Sequence, residues 1–289
     1  YTLSIHDALP ISRGSDLAVK QTEAVAEKLK LHFPDDSFEI VRISTTGDRQ
    51  TDKTLQSFGG RGVFIKEIEA ALLDGRIDMA VHSAKDIPTQ LQDGLGITAA
   101  LLREDRGDAL VSFGNIENVK IIGTGSARRE SQARKIFPDA EFRQIRGNIY
   151  TRLEKVKSGE YDAVIMAKAA LNRLNITGAN VMDLPFICAA GQGIIAVETA
   201  GGRMRKYTEL INDAAVMAEL TAERAFLKYT GGGCHMPCGA SAVYENGEIT
   251  MSTYYHCGGN DIILKMTDAD PELLGKIMAE KTIKSAEGK

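Results

Sequence analysis

Apolar residues in this chain occur at helical spacing in some stretches and as short continuous runs in others. Residues 15–31 hold helix formers without Gly or Pro, and Phe33-Pro34 marks the end of that helix. Residues 38–44 (FEIVRIS) predict a strand because they are rich in aromatic and β-branched side chains. Residues 64–73 place apolar side chains on one helical face, and residues 77–82 predict a short buried strand. The pattern therefore favours an α/β fold.

One helix–glycine–strand unit occurs twice along the chain. Residues 75–81 (GRIDMAV) resemble residues 159–165 (GEYDAVI), and each segment follows a helical stretch and precedes a polar turn. Two copies predict two similar α/β domains, with a ligand cleft at the strand ends between them. The alternative is that the likeness only reflects the usual order of elements in α/β proteins.

The pattern changes near Met217 to that of a small α+β domain. A helix over 218–228 leads to a glycine-rich segment, strands flank the turn at Asn246-Gly247, and a helix over 271–284 follows. We therefore predict domain 1 over residues 12–102 and 194–213, domain 2 over 103–193 and domain 3 over 214–289.

Residues 1–11 (YTLSIHDALPI) do not share the pattern of the remainder. They lack a clear period, a basic segment and a continuous apolar run, which excludes a signal peptide. They are similar to the translation of a common sequencing-adapter oligonucleotide. We predict that they are an assembly artefact in the place of a first strand.

Composition excludes several classes of protein. The 289 residues are 43% apolar and 26% charged, as in a folded globular protein and unlike a disordered chain. A formal charge of -4 disfavours a nucleic-acid-binding protein, and the apolar runs are too short to span a bilayer. Four cysteines are too few for a disulfide scaffold and favour a reducing, cytoplasmic compartment.

Several arginines lie in or beside predicted turns between strands and helices, where open α/β sheets bind ligands. The set comprises Arg13, Arg128, Arg129, Arg146, Arg152 and Arg173. A guanidinium group binds a carboxylate through two parallel hydrogen bonds, so the set predicts a small ligand with several negative charges. The adjacent pair Arg128-Arg129 is the strongest case. The alternatives are solvated surface arginines and a phosphate ligand, although the chain has no GxxxxGK[ST] motif.

Residues 82–88 (HSAKDIP) place an acid beside a lysine at the end of a predicted strand. Asp86 next to Lys85 is suited to moving protons or to holding a cation. The alternative is a turn in which Asp86 accepts backbone N–H bonds before Pro88.

Cys234 follows three glycines, which leave the backbone uncrowded and the thiol accessible. Such a cysteine is suited to act as a nucleophile or a covalent attachment point, and the alternative is a turn with an incidental thiol. A zinc site is a further alternative, although its spacing is unusual for structural zinc. Its ligands would come from Cys234, His235, Cys238, His256 and Cys257.

These motifs together make the chain, from about Ser12 to its end, resemble the porphobilinogen deaminase (hydroxymethylbilane synthase) family. The matching segments occur in family order as RGSDLA (13–18), FGGRGVFIKEIE (58–69), AVHSAKDIP (80–88), GTGSARR (123–129), RGN (146–148), TRL (151–153), GQG (191–193) and GGC (232–234). The resemblance implies an α/β fold with two type II periplasmic-binding-protein-like domains and a small α+β C-terminal domain.

The resemblance further implies a transferase of porphyrin and heme biosynthesis. Such an enzyme condenses four porphobilinogen units head to tail, releases ammonia at each addition and finally hydrolyses off the linear tetrapyrrole hydroxymethylbilane. The resemblance implies a dipyrromethane cofactor bound to Cys234 through a thioether. It assigns to Asp86 the loss of ammonia and the stabilisation of the resulting cation. It also implies a monomer that needs no metal.

The remaining residues that the resemblance assigns are expected to bind the carboxylates of the cofactor, the substrate and the growing chain. Each porphobilinogen carries an acetate and a propionate, so a growing chain accumulates negative charge. Besides Cys234 and Asp86, the residues expected to hold the cofactor are Ser83, Lys85, Thr124, Ser126, Arg128 and Arg129. Those expected to meet the substrate and the growing chain are Arg13, Ser15, Gln21, Arg61, Arg146, Arg152 and Arg173.

The chain departs from the family pattern at a few positions. Ser57 stands where many members have a lysine, so we expect weaker loop closure over an anionic chain, with Arg61 as a nearby cation. Cys238 adds a second thiol close to Cys234 in the sequence. The second hypothesis is a non-catalytic carboxylate-binding module of the periplasmic-binding-protein type, which would need neither the acid at Asp86 nor the thiol at Cys234.

Overall fold

A computed structural model describes residues 15–41, 43, 63–232 and 236–288 of the chain. The described residues form two compact units. The first unit holds the residues up to Arg103 together with Ile194–Leu220, and the second holds Glu104–Gly193 together with the residues from Thr221 onwards. The division into three domains stays a prediction, and the segment 1–11 lies outside the described residues.

The helices of the described residues are α1 (Asp16–His32), α2 (Val63–Leu73), α3 (Ala127–Ala133), α4 (Ile149–Lys157), α5 (Lys168–Arg173), α6 (Arg205–Ile211), α7 (Ala214–Thr230) and α8 (Pro271–Glu287). The strands are β1 (Ala80–Ser83), β2 (Leu95–Ala100), β3 (Asp108–Ser112), β4 (Ile121–Gly123), β5 (Glu141–Arg143), β6 (Ala163–Ala167), β7 (Asn180–Leu184), β8 (Ile195–Ala200), β9 (Cys238–Glu245), β10 (Glu248–Cys257) and β11 (Asn260–Asp268). The four helices predicted from the sequence at 15–31, 64–73, 218–228 and 271–284 are confirmed, with slightly different ends.

The strand predicted over residues 38–44 is wrong for its described part. Residues 38–41 and 43 have no strand pairing. Phe38 instead packs edge-on against the Tyr207 ring, with 6.2 Å between the ring centroids. Val41 and Ile43 pack against the core beside α2. Their apolar character therefore reflects burial and not membership of a sheet.

The first unit is built on an antiparallel sheet of three strands in the order β1-β8-β2. α1 begins at Ser15, whose side chain caps the first turn, and it buries Val25 and Leu29 in the core that includes Val81 of β1. α2 packs in a second core that includes the preceding residue of the strand, Ala80. Because successive strand residues point to opposite faces, α1 and α2 cover the two faces of this sheet.

The second unit contains a five-stranded sheet in the order β5-β4-β6-β3-β7. β4 is parallel to β5 and β6, whereas β3 is antiparallel to its neighbours β6 and β7. The first residue of β3, Asp108, is therefore paired with the last residues of β6 and β7, Ala167 and Leu184. One edge of the sheet thus combines the start of β3 with the ends of the other four strands.

A smaller antiparallel sheet, formed by β9, β10 and β11, also belongs to the second unit, and α8 packs on it. The turn Asn246-Gly247 joins β9 to β10 with positive φ at both residues, +53° and +89°. This is the geometry of a two-residue type I′ hairpin, so the hairpin predicted from the sequence is confirmed. None of the described helices has both the length and the apolar character needed to cross a membrane.

Candidate functional site

The end of β1 and the turn after it carry three of the residues that the sequence analysis singled out. Ser83 ends the strand, and one turn of 3-10 helix, Ala84–Asp86, follows it with Lys85 and Asp86 half-buried. The Ala84 N–H donates to the Ile194 carbonyl oxygen at 3.0 Å, which fixes this turn to the start of β8. The backbone of the turn that carries Asp86 is therefore attached to the sheet.

Gln21 of α1 reaches the same place from the helix. Its side-chain amide and the Ser83 hydroxyl exchange two hydrogen bonds, at 2.8 and 3.1 Å. Gln21 is only 3% exposed, so this contact replaces hydration that the amide loses on folding. Two residues predicted to have separate roles toward ligand thus share one structural contact.

His82, the residue before Ser83, belongs to a set of polar side chains that the sequence analysis did not identify. His82 Nε2 lies 2.9 Å from Glu198 Oε2, and the Gln92 amide donates to Glu69 at 2.7 Å. Burial raises the pKa of Glu69, and the nearby Glu198 adds to this rise. The signal available in the sequence was a charged residue, Glu198, inside an otherwise apolar strand.

In the second unit, the segment after β4 builds the turn that presents two arginines. The hydroxyl of Thr124 accepts a hydrogen bond from the Ser126 N–H at 3.2 Å, and Ser126 in turn caps α3 through the Arg129 N–H. Capping by a serine side chain starts the helix at a defined residue. Arg128 and Arg129 therefore occupy the first turn of α3.

Both arginines are buried against a single carboxylate. Arg128 Nη1 lies 2.8 Å from Asp108 Oδ2, and Arg129 Nη2 lies 2.8 Å from Asp108 Oδ1. Arg128 and Arg129 are 4% and 9% exposed, so the alternative of two solvated surface residues is wrong. Two buried guanidinium groups therefore share one carboxylate, and guanidinium groups are suited to binding further carboxylates.

Asp108 is the residue of this site that the sequence analysis missed. Burial alone would raise its pKa, but the guanidinium groups of Arg129 and Arg128 outweigh burial and hold the pKa well below its usual range. The Gln192 amide donates to Asp108 Oδ1 at 3.0 Å and also to the carbonyl oxygens of Arg106 and Gly107. An aspartate directly before an apolar strand was the only signal in the sequence.

The other predicted arginines of this unit occupy different surroundings. Arg146 is exposed in the turn after β5, and Arg152 Nε donates to the Gly147 carbonyl oxygen at 2.9 Å. Arg173 Nη2 donates to the Gly193 carbonyl oxygen at 2.6 Å. Burial lowers the pKa of Arg173, against the opposing effect of nearby Glu104. The structure therefore places Arg173 beside the GQG turn.

Comparison with known proteins shows which family contains a chain with these features. Residues 11–224 match the family model "Porphobilinogen deaminase, dipyromethane cofactor binding domain", and residues 217–284 match "Porphobilinogen deaminase, C-terminal domain". The chain belongs to the porphobilinogen deaminase family. The first match agrees with the predicted dipyrromethane cofactor, and both matches confirm the predicted α/β class and the predicted transferase family.

Curated members of the porphobilinogen deaminase family align over most of their length. The porphobilinogen deaminase of Lachnospira eligens is 41% identical over 286 residues, which are 91% of this chain and 95% of that protein. The one of Geobacillus kaustophilus is 42% identical over 278 residues, which are 92% of this chain and 90% of that protein. Among solved structures, an L-arginine-bound amino acid ABC transporter substrate-binding protein from Streptococcus pneumoniae aligns with 78% of this chain and 90% of that chain. Its identity is 14% and its TM-score 0.43.

Some predicted residues of the porphobilinogen deaminase site lie outside the described part of the chain, namely Arg13, Ser57, Arg61 and Cys234. Of the residues proposed for zinc, Cys238 is buried and His256 Nδ1 lies 2.6 Å from Asp261. The described residues contain no group of three metal-ligating side chains. The roles assigned to individual site residues stay predictions.

Proposed function

We propose that this member of the porphobilinogen deaminase family is a hydroxymethylbilane synthase. It condenses four porphobilinogen units head to tail, releases ammonia at each addition and hydrolyses off the linear tetrapyrrole. The proposal includes a dipyrromethane cofactor attached through a thioether to Cys234, a monomeric state and a cytoplasmic location. The observation that carries it is the buried pair of guanidinium groups sharing Asp108, within a segment that matches a cofactor-binding domain.

The two guanidinium groups beside Asp108 suit a group that bears acetate and propionate side chains. Arg128, Arg129, Thr124 and Ser126 would hold carboxylates of the cofactor from the second unit. Ser83, Lys85 and Asp86 would contribute to its binding. When bound, the dipyrromethane supplies the nucleophilic pyrrole carbon on which the chain grows.

Asp86 is the proposed catalytic residue. Loss of ammonia from the aminomethyl group of porphobilinogen leaves a positive charge on the pyrrole, and a fixed carboxylate stabilises that charge as it develops. The half-buried position of Asp86, on a turn fixed to β8, supports this role because little reorganisation is needed during the reaction. Lys85 beside it would bind a carboxylate and keep the local charge balanced.

The remaining arginines would bind the incoming substrate and the growing chain. Arg146, Arg152 and Arg173 all belong to the second unit, beside the ends of β5 and β6. Arg13, Arg61, Ser15 and Gln21 complete the proposed set. The family matches do not favour the alternative of a non-catalytic carboxylate-binding module.

An intact mass spectrum of the purified chain, followed by digestion, tests the proposed function. Protein made by a host that produces porphobilinogen should carry the added mass of two linked pyrrole units on the Cys234 peptide. Cys234→Ser should abolish both the adduct and turnover, whereas Cys188→Ser and Cys257→Ser should keep both. Normal turnover by the Cys234→Ser protein, or an unmodified Cys234 in folded wild-type protein, would contradict the proposal.

A further inference from the structure

A cluster of polar side chains outside the proposed site joins α3 to the small sheet of the second unit. We call it the Asp261 cluster, and it consists of Ser131, Lys135, Tyr254, His256 and Asp261. The Tyr254 hydroxyl lies 2.9 Å from Ser131 Oγ and 3.0 Å from Asp261 Oδ1, although Tyr254 itself is 1% exposed. A buried phenol with two polar partners is a specific link and not a packing residue alone.

Asp261 is the centre of this cluster. Its carboxylate pairs with Lys135, in the turn that follows α3, and lies 2.6 Å from His256 Nδ1. Burial alone would raise the pKa of Asp261, but Lys135, His256 and Tyr254 together lower it, so the carboxylate stays charged. One side chain of the β10–β11 hairpin therefore connects to the turn after α3 through an ion pair and to Ser131 of α3 through the Tyr254 hydroxyl.

On the α3 side, the cluster leads to the arginine pair. The Ser131 hydroxyl donates to the carbonyl oxygen of Arg128 at 3.1 Å. Arg128 Nη1 donates to the Ile187 carbonyl oxygen at 2.8 Å while it pairs with Asp108. A displacement of α3 along the hairpin would therefore move Arg128 away from both partners.

On the sheet side, the cluster leads to the segment that follows Cys234. Tyr254 is the cross-strand partner of Gly239, and the His256 N–H donates to the Pro237 carbonyl oxygen at 3.0 Å. β9 begins at Cys238, and the four residues from Cys234 to this strand span at most about 14 Å. The cluster is therefore connected to the strand that begins four positions after Cys234 in the sequence.

Gly239 shows how closely β9 approaches the arginine pair. A Cβ atom at this position would lie 2.6 Å from the Cys188 carbonyl oxygen and 3.0 Å from Cδ of Arg128. The Ala240 N–H donates to the same Cys188 carbonyl oxygen at 3.0 Å. β9 is thus seated against the stem of Arg128 with no room for a side chain between them.

We infer that Tyr254 and Asp261 are positioning residues for cofactor loading, because they hold the start of β9 and α3 in one arrangement beside Arg128. The inference rests on the proposed function, in which Cys234 forms the thioether and the two arginines bind carboxylates of the same group. Attachment of a group at two points gains rate when both points are held at the correct separation before binding. Neither positioning residue needs to touch the cofactor.

Loading of the apo-protein tests this inference. Apo-protein from a host that cannot make porphobilinogen is incubated with porphobilinogen, and the mass added at Cys234 is followed over time. Tyr254→Phe and Ser131→Ala each remove one hydroxyl with little change in packing, and each should slow loading by about 10-fold. Ser131→Thr keeps the hydroxyl and should load at close to the wild-type rate.

The matched control lies in the same sheet. Thr250→Val removes the Thr250–Thr267 hydrogen bond of 2.8 Å, which has no connection to α3, and it should leave the loading rate unchanged. Every variant is assayed at a temperature at which circular dichroism shows it to be folded. Wild-type loading rates in Tyr254→Phe and Ser131→Ala, or equal slowing in Thr250→Val, would overturn the inference. Absence of an adduct on the wild-type protein would instead overturn the proposed function, and the inference with it.

Discussion

Gln21 and Ser83 lie 62 positions apart in the chain, and their side chains exchange two hydrogen bonds at 2.8 and 3.1 Å. The contact ties the middle of α1 to the last residue of β1, directly before the turn that carries Asp86. A shift of α1 relative to the sheet would therefore displace the turn that carries Asp86, the proposed catalytic residue. Both residues thus have a structural role in addition to any contact with ligand.

Gln21→Leu should destabilise the protein by about 1–3 kcal/mol, because it leaves the Ser83 hydroxyl without its partner in a half-buried place. Urea denaturation measures this loss. Adding Ser83→Ala should recover part of it, since both polar partners are then absent. Lys20→Ala on the exposed side of the same helix, where Lys20 pairs with Glu23 at 3.1 Å, should change stability by less than about 1 kcal/mol. Equal losses in the two single variants would contradict the structural role of Gln21.

Asp86→Asn should retain the cofactor but lose turnover by about 100-fold or more, because an amide of the same shape supplies no negative charge to a developing cation. The measurements are the intact mass of the purified variant and its rate of porphobilinogen consumption. Asp93→Asn, at an exposed position further along the same loop, is the matched control and should keep the wild-type rate. A near wild-type rate in Asp86→Asn would rule out the electrostatic role.

Asp108→Asn should be destabilising by about 3–5 kcal/mol near pH 7, because two buried guanidinium groups lose their counter-charge. The depressed pKa of Asp108 also predicts a pH dependence. Its contribution to stability is present above the pKa of about 3.9 in the unfolded chain and is lost as pH falls from there through the lower folded-state pKa.

Chemical denaturation of wild type and Asp108→Asn between neutral and acidic pH measures that contribution. The difference in unfolding free energy between the two proteins should shrink below about pH 4. Glu141→Gln removes an exposed ion pair with Arg143 and should cost less than about 1 kcal/mol at any pH. A difference that stays constant down to the lowest pH would show that the charge of Asp108 is not what stabilises the fold.

Tyr254 predicts a second pH dependence, at the alkaline end. Burial raises the pKa of Tyr254 to about 12, and its contribution to stability is therefore present below the unfolded-state pKa of about 10. This contribution is lost as pH rises from about 10 towards 12. The unfolding free energy of Tyr254→Phe should therefore fall less than that of the wild type across this range. Chemical denaturation at several alkaline pH values measures both unfolding free energies. An equal fall in unfolding free energy with pH in the two proteins would contradict the raised pKa of Tyr254.

Local patterns in the sequence predicted the elements whose causes are local. α1, α2 and the hairpin at Asn246-Gly247 follow from helix-forming composition, apolar spacing and turn chemistry within a few residues. The strand predicted over 38–44 failed because aromatic and β-branched content reports burial as well as strand pairing, and pairing requires a partner elsewhere in the chain.

The polar partners of the candidate site could not be predicted in the same way. Asp108 meets Arg128 and Arg129 because β3 is inserted antiparallel between β6 and β7, which brings the start of one strand to the ends of its neighbours. Glu198 meets His82 through the pairing of β1 with β8, more than a hundred positions away. The apolar residues next to these acids indicate that they are buried, but they do not indicate which residues are their partners.

The sequence by itself determined the family, the order of helices and strands and the residue types available for carboxylate binding, because motifs and periodicity depend on neighbours along the chain. The tertiary structure alone decided that Gln21 pairs with Ser83, that one aspartate pairs with two arginines, and that Tyr254 and Asp261 connect α3 to the small sheet. These relations depend on strand order and on burial. Both arise from contacts between residues far apart in the chain, where removal from water makes every unpaired charge or hydrogen-bonding group costly.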